Sequence, residues 1–199
     1  MLFRSVAKIN GNWWMTRNLA IGCNGSGSSY GSSVSSKQLT STYSNVSTAW
    51  STPTALLSNA SISTQTADYT TPRMQCSSTY GAWYNYAAAT AGTLTGTINN
   101  DEQTYDICPK NWRLSTYNEI NGLKSYKNAF SPVTGGTYRF GTILHPEYGY
   151  WASSTVNYFD SESASRRYNI YYDSENDRLI MNEYGSRYDG WYVRCVRSN

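Results

Sequence analysis

The run "NGSGSSYGSSVSSKQLTSTYSNVSTAWSTP", residues 24–53, is half serine and threonine and carries a single charged side chain. A segment of that composition cannot bury enough apolar surface to build a core of its own. The core must therefore come from the sequence on either side. Residues 24–66 read as a long ordered excursion or as a loop, with Trp50, Leu56 and Leu57 as anchors. The run is flanked by Cys23 and Cys76; the other two cysteines are Cys108 and Cys195. None forms a Cys-x-x-Cys pair, and His145 is the only histidine. That set argues against tetrahedral zinc and against a thioredoxin-like redox site. Two readings of the cysteines are left: two disulfides, which would place the protein outside the cytosol, or four buried thiols.

The flanking sequence has strong local signals. "SVAKI" and "NWWMTRNL" alternate as two strands, with "NGN" as the tight turn between them. "GAWYNYAAATAG" (81–92) has an alanine-rich centre and a closing glycine, and predicts a helix stopped at Gly92. A second helix is predicted after Ser115 as N-cap, with Asn118 and Glu119 in its first turn and Ile120, Leu123 and Tyr126 on one face. Short strands follow at 149–155, 166–173, 178–183 and 190–197. Two helices followed by hairpin-linked strands predict an α+β domain with a small twisted antiparallel sheet and long loops. At 199 residues the chain fits a single domain, 1–199, with the Ser/Thr-rich segment as an insertion.

Charge and aromatic content narrow the function. The net charge is +3 and the basic residues are scattered, with no stripe that would track a nucleic-acid backbone, so no nucleic-acid partner is expected. No apolar run approaches the roughly 20 residues of a membrane span, so no membrane insertion is expected. The opening "MLFRSVAKINGNWWMTRNL" has no apolar h-region or cleavage site; an exported form is expected to be a mature or trimmed fragment. Nineteen Tyr and seven Trp against four Phe describe aromatics that keep a polar handle, as binding surfaces favour. The stretch "YFDSESASRRYNIYYDSENDR" (158–178) mixes Tyr, Ser, Asn, Asp and Arg in the manner of an antibody combining site.

Taken in order, "NWWMTRNL", "GAWYNYAAATAG", "CPKNWRLSTYNEINGL", "GYWASST" and "GWYVRCVR" resemble the Fibrobacter succinogenes major paralogous domain. That family is similar to the formylglycine-generating-enzyme group and has a C-type-lectin-like fold. The resemblance covers most of the chain outside 24–66. It implies that the first and last strands lie together and that Cys108 is bonded to Cys195, which leaves Cys23 and Cys76 for a second disulfide. It also implies an extracellular or cell-surface location.

Departures from the pattern bear on activity. The reactive cysteine pair of the formylglycine enzymes is represented here by Cys195 alone, and the calcium and sugar triplets of C-type lectins, Glu-Pro-Asn and Trp-Asn-Asp, do not occur. No nucleophile elbow or phosphate loop is present. The carboxylate pairs Asp160/Glu162 and Asp173/Glu175 lie in polar sequence with nothing apolar to raise a pKa. The expectation is a non-catalytic protein with no cofactor and no metal site.

Strand alternation over 166–173 puts Tyr168, Ile170 and Tyr172 on the core side and Arg167, Asn169, Tyr171 and Asp173 outward. With Asn157, Tyr158, Phe159, Asp160 and Ser161 before them, and Arg187, Tyr188, Asp189 and Tyr192 after, these form the expected ligand-binding set. In the last strand Trp191, Val193 and Cys195 are expected inside and Tyr192 outside. Tyr, Asn, Ser, Asp, Phe and Arg are among the products of randomising the adenines of an asparagine codon. Residues 157–192 therefore resemble the variable region of a protein diversified by a diversity-generating retroelement. The expected partner is a protein or glycan on another cell or particle.

Overall fold

The computed structural model of the chain describes residues 5–21, 23, 44–45, 54–55, 72–77, 79–90, 106–139, 141–156, 166–186 and 188–199. For 44–45, 54–55, 153–156, 166–168 and 183–184 only the backbone is described. The proposed anchors Trp50, Leu56 and Leu57 lie outside these residues, as do the candidate site residues Asn157, Tyr158, Phe159, Asp160, Ser161 and Arg187.

Helix and sheet are mixed, and strands predominate among the described residues. The opening hairpin forms as the sequence predicts: β1 (Val6–Ile9) pairs with β2 (Asn12–Met15). Asn10 and Gly11 both have positive φ, 48° and 83°, as a two-residue hairpin turn requires. The last strand, β14 (Cys195–Arg197), adds to β2 on one side and to β8 (Arg113–Leu114) on the other. The first and last strands therefore share one antiparallel sheet, in the order β1-β2-β14-β8.

Among the described residues there are four smaller sheets besides. β3 (Ser44–Asn45) pairs with β7 (Asp106–Pro109), and β4 (Thr54–Ala55) runs parallel to β5 (Arg73–Ser77), which pairs in turn with β6 (Gly81–Tyr84). β9 (Thr137–Arg139) and β10 (Thr142–Leu144) form a hairpin. β11 (Tyr148–Val156), β12 (Arg166–Asp173) and β13 (Arg178–Ser186) form a three-stranded antiparallel sheet with β12 in the centre. Residues 190–192 stitch these units together. Gly190 bridges Tyr138, Trp191 bridges Tyr84 and Tyr192 bridges Trp151.

One helix differs from expectation. Gly81–Tyr84 is strand, and only Tyr86–Ala89 (α1) is helical, capped by the Asn85 side chain on the Ala88 N–H. Alanine propensity supports helix locally, but a single turn is marginal without packing. Pairing of Met74 with Tyr84 and of Tyr84 with Trp191 buries both aromatics and holds the preceding residues extended. Gly92, the expected stop, lies outside the described residues.

The second helical segment runs from α2 (Tyr117–Gly122) through a 3₁₀ turn at Leu123–Tyr126 to α3 (Lys127–Phe130). Its N-cap is Thr116, one residue beyond the predicted Ser115. Thr116 and Glu119 form a reciprocal capping box, which the Thr-x-x-Glu spacing encodes. Ile120 and Leu123 are buried as predicted, but Tyr126 is 41% exposed. The tighter 3₁₀ winding rotates the apolar face, and Phe130 closes it instead.

Glu119 also accepts both terminal nitrogens of Arg113, at 2.7 and 2.6 Å, and an N–H from Asn12. Burial works against its charge, but the Arg113 and Thr116 hydrogen bonds outweigh that and hold its pKa below the usual carboxylate value. A depressed carboxylate contributes stability above its unfolded pKa and loses it as pH falls through the folded one. Glu119→Gln should therefore lower stability by about 1 kcal/mol near neutrality, the salt bridge being partly solvent-screened. The gap to wild type should narrow in urea melts as pH falls through the depressed Glu119 pKa, where its carboxyl becomes neutral.

The core has two parts. One gathers Met15, Met74, Tyr84, Ile107 and Leu114 around a Cys108–Cys195 disulfide. The other packs Trp14, Trp83, Phe130, Trp151, Ile170 and Tyr192. A second disulfide joins Cys23 to Cys76. Both cysteine pairs are those the resemblance implies.

Candidate recognition face

The outer face of the β11–β13 sheet is built by alternation. Trp151 and Ile170 point into the core, so Tyr148 and Tyr150 on β11 and Tyr171 on β12 point the other way. Register sets Tyr150 directly opposite Tyr171, with ring centroids 5.6 Å apart and nearly parallel. Tyr148 lies 5.6 Å from Tyr171 and 6.2 Å from Tyr150, and His145 stacks on Tyr148 at 5.9 Å. Trp191 stacks on the far side of Tyr150 at 6.4 Å. The result is a continuous aromatic ladder from exposed His145 to buried Trp191, with Tyr148, Tyr150 and Tyr171 half-buried between them.

Electrostatics follow from this packing. Burial raises the Tyr150 phenol well above its ordinary pKa, helped by neighbouring tyrosines and by Glu147 and Asp189. Tyr148 is raised as well, by burial and then by Glu175, Asp173 and Glu147. The phenols remain protonated at neutral pH and are available as hydrogen-bond donors at their tips.

Only part of the expected set lies open on this face. Tyr171 does, half-buried in the ladder. Tyr188 is half-buried beneath the Arg139 guanidinium, 5.4 Å from its ring centroid. Arg167 pairs with Val156 and Gly185 through the backbone of β12.

Four members of the set are buried, which corrects their outward assignment. Tyr192 is fully buried, stacked on Trp83 at 5.6 Å and packed against Trp151 at 6.0 Å. Its segment bridges β6 and β11, and the ring enters the core cluster with Trp83 and Trp151. Asn169 is fully buried, at the β12 position opposite Ala152 and Asn182 where the register of the sheet shifts. The Trp191 ring lies against Gly185, where a Cβ would come within 1.5 Å of it. Asp173 is buried by its own turn, accepting from the backbone and side-chain nitrogens of Asn176 and from Arg178. Asp189 is buried in a bidentate pair with Arg139, at 2.6 and 2.7 Å.

The sequence reading missed Tyr148, Tyr150, Arg139 and His145. The signal for the two tyrosines was present: "YGYWAS" alternates as plainly as "RRYNIYYD", and applying the same phase rule would have placed both outward. Among the described residues no group of three or more His, Cys, Asp and Glu side chains is arranged to hold a metal ion. No described helix is long and apolar enough to cross a membrane.

Fold and face together define a strand-rich, doubly disulfide-linked α+β domain with a tyrosine-built surface. No protein-family model, no curated protein and no solved structure matches the chain.

Proposed function

We propose that this chain is an exported, non-catalytic ligand-binding domain of C-type-lectin-like fold, whose recognition face is the outer surface of the β11–β13 sheet. The observation that carries the reading is the ladder of Tyr148, Tyr171 and Tyr150. Three adjacent rings, rigid at low entropic cost and tipped with donors, are the contact chemistry that paratopes use. The β11–β12 connection, which carries Asn157, Tyr158, Phe159, Asp160 and Ser161, leaves the sheet that bears the ladder. Disulfides support an extracellular or cell-surface location. The partner is a protein on another cell or particle, and the composition of 157–192 supports diversification of this face by a retroelement.

A carbohydrate-binding adhesin is the second reading, favoured by the half-exposed rings, which offer flat faces to a sugar. A glycan array run with and without calcium separates the two. The protein-ligand reading expects no glycan signal in either condition. Sugar binding that Tyr148→Ala and Tyr171→Ala together abolish, without lowering the melting temperature by more than a few degrees, would replace it with the adhesin. Diversification has its own test in the flanking DNA. A near-copy of the 3′ end of the gene, differing only at adenines and lying beside a reverse transcriptase, is expected; its absence removes that part of the proposal.

A further inference from the structure

A second site lies behind the sheet, on the side to which Trp151 points. The Trp151 indole donates to Asn18 Oδ1 at 2.8 Å, and Asn18 lines a cavity of about 500 Å³ between the end of β2, the β5–β6 turn and the loop after α3. Arg17, Arg194, Thr16, Thr79, Tyr80 and Thr134 contribute to its walls. The volume is that of a small-molecule site.

Arg194 is the unusual member. It is 2% exposed, with its guanidinium carbon 4.4 Å from the Phe130 ring centroid and 5.0 Å from that of Trp151. Nε donates to Asn18 Oδ1 at 3.0 Å, Nη1 to the Phe130 carbonyl and Nη2 to the Ser131 carbonyl at 3.1 Å. These bonds cap the end of the α3 helix and use three of the five N–H donors a guanidinium carries. All three acceptors are uncharged, and among the described residues neither Arg194 nor Arg17 has a carboxylate partner. Buried cations are ordinarily paired, since an unpaired charge is costly away from water. Burial pulls the Arg194 pKa down to about 9, still well above neutrality. Two arginines and three threonines thus line one cavity with no carboxylate among its lining residues, the Thr16 hydroxyl meeting that of Ser5.

We propose that this cavity binds an oxyanion, a carboxylate or sulfate group, carried by a hydroxyl-rich ligand of about monosaccharide size. The guanidinium groups receive the anion and the threonines the hydroxyls. The proposal is independent of the tyrosine ladder, which faces the opposite way.

The test is calorimetric titration of the disulfide-intact protein with sodium glucuronate, sodium sulfate and glucose, at ionic strength matched with sodium chloride. Saturable one-to-one binding of glucuronate, without binding of glucose, is expected. Glucuronate should bind more tightly than sulfate; equal affinities would overturn the hydroxyl-rich ligand and leave a free oxyanion site. Arg17→Gln, at an exposed position, should leave the melting temperature unchanged and weaken binding about tenfold, the effect of one charge-assisted hydrogen bond. Glucose binding as well as glucuronate, no saturation with either anion, or an Arg17→Gln protein that binds as tightly as wild type would each overturn the proposal.

Discussion

Trp151→Ala is expected to destabilise the domain by about 3–5 kcal/mol, the range for removing a fully buried aromatic. The indole is 1% exposed and meets Phe130 edge-on at 5.1 Å, Tyr192 at 6.0 Å and the Arg194 guanidinium at 5.0 Å. It also donates the 2.8 Å hydrogen bond that helps to fix Asn18. Truncation opens a cavity, removes that bond and strips one face from a buried cation. A domain stabilised by about 5–15 kcal/mol would lose a large part of its margin. At roughly 2–4 °C per kcal/mol the melting temperature should fall by about 6–20 °C. Tyr171→Ala, in the half-buried ladder on the opposite face of the same sheet, should cost about 1 kcal/mol. Thermal melts of the two variants side by side make the comparison. A Tyr171→Ala protein less stable than Trp151→Ala would mean that the inner and outer faces of the β11–β13 sheet have been exchanged.

That assignment of faces was only half legible in the sequence. Alternation gives the correct phase over 169–173, with Ile170 inward and Tyr171 outward, because side chains in a strand must alternate. It does not say which stretch of the outer face is covered. Coverage depends on contacts from outside the strand, such as that of the Trp191 ring with Gly185, whose missing side chain makes room for it. Asn169 and Tyr192 were therefore misplaced for a long-range reason that no period-2 rule contains. The same holds for 81–92. Its alanine run does form a helical turn, but extension of that helix back to Gly81 is overruled by β5 and by Trp191, 107 residues further on than Tyr84. Features that close within a few residues were legible: the Asn10–Gly11 turn, the Thr116–Glu119 box, and the limits of β12.

The arginine pair behind the sheet shows a different limit. Arg194 sits in "VRCV" between two buried apolar residues, and strand phase alone would place it in solvent. It is buried because β14 and the residues before it are enclosed on both faces, and the exposed carbonyls at the end of α3 supply its acceptors. Its cavity is contributed by four segments distant in sequence, so neither the site nor its charge could be read from the sequence alone.

Removing the Cys108–Cys195 disulfide by double alanine substitution should cost about 4–5 kcal/mol, more than removing Cys23–Cys76. On chain-entropy grounds the two bonds are nearly equal, since the stabilisation grows only with the logarithm of loop length and the separations are 87 and 53 residues. The surroundings separate them. Cys108 and Cys195 are both fully buried, in the cluster with Met15, Tyr84 and Leu114, whereas Cys23 is only half-buried at the edge of that cluster. Cys195 also opens β14, a three-residue strand that holds the β2 and β8 edges together. So short a strand gains little from its own pairing, and the covalent tie to β7 keeps it in register opposite Leu114. Loss of the inner bond therefore frees the chain in the unfolded state and loosens the four-stranded sheet in the folded one. Urea denaturation of the two double variants should rank wild type first, Cys23→Ala/Cys76→Ala second and Cys108→Ala/Cys195→Ala last. An inner-bond variant within about 1 kcal/mol of wild type would show that pairing and packing alone hold the last strand in place.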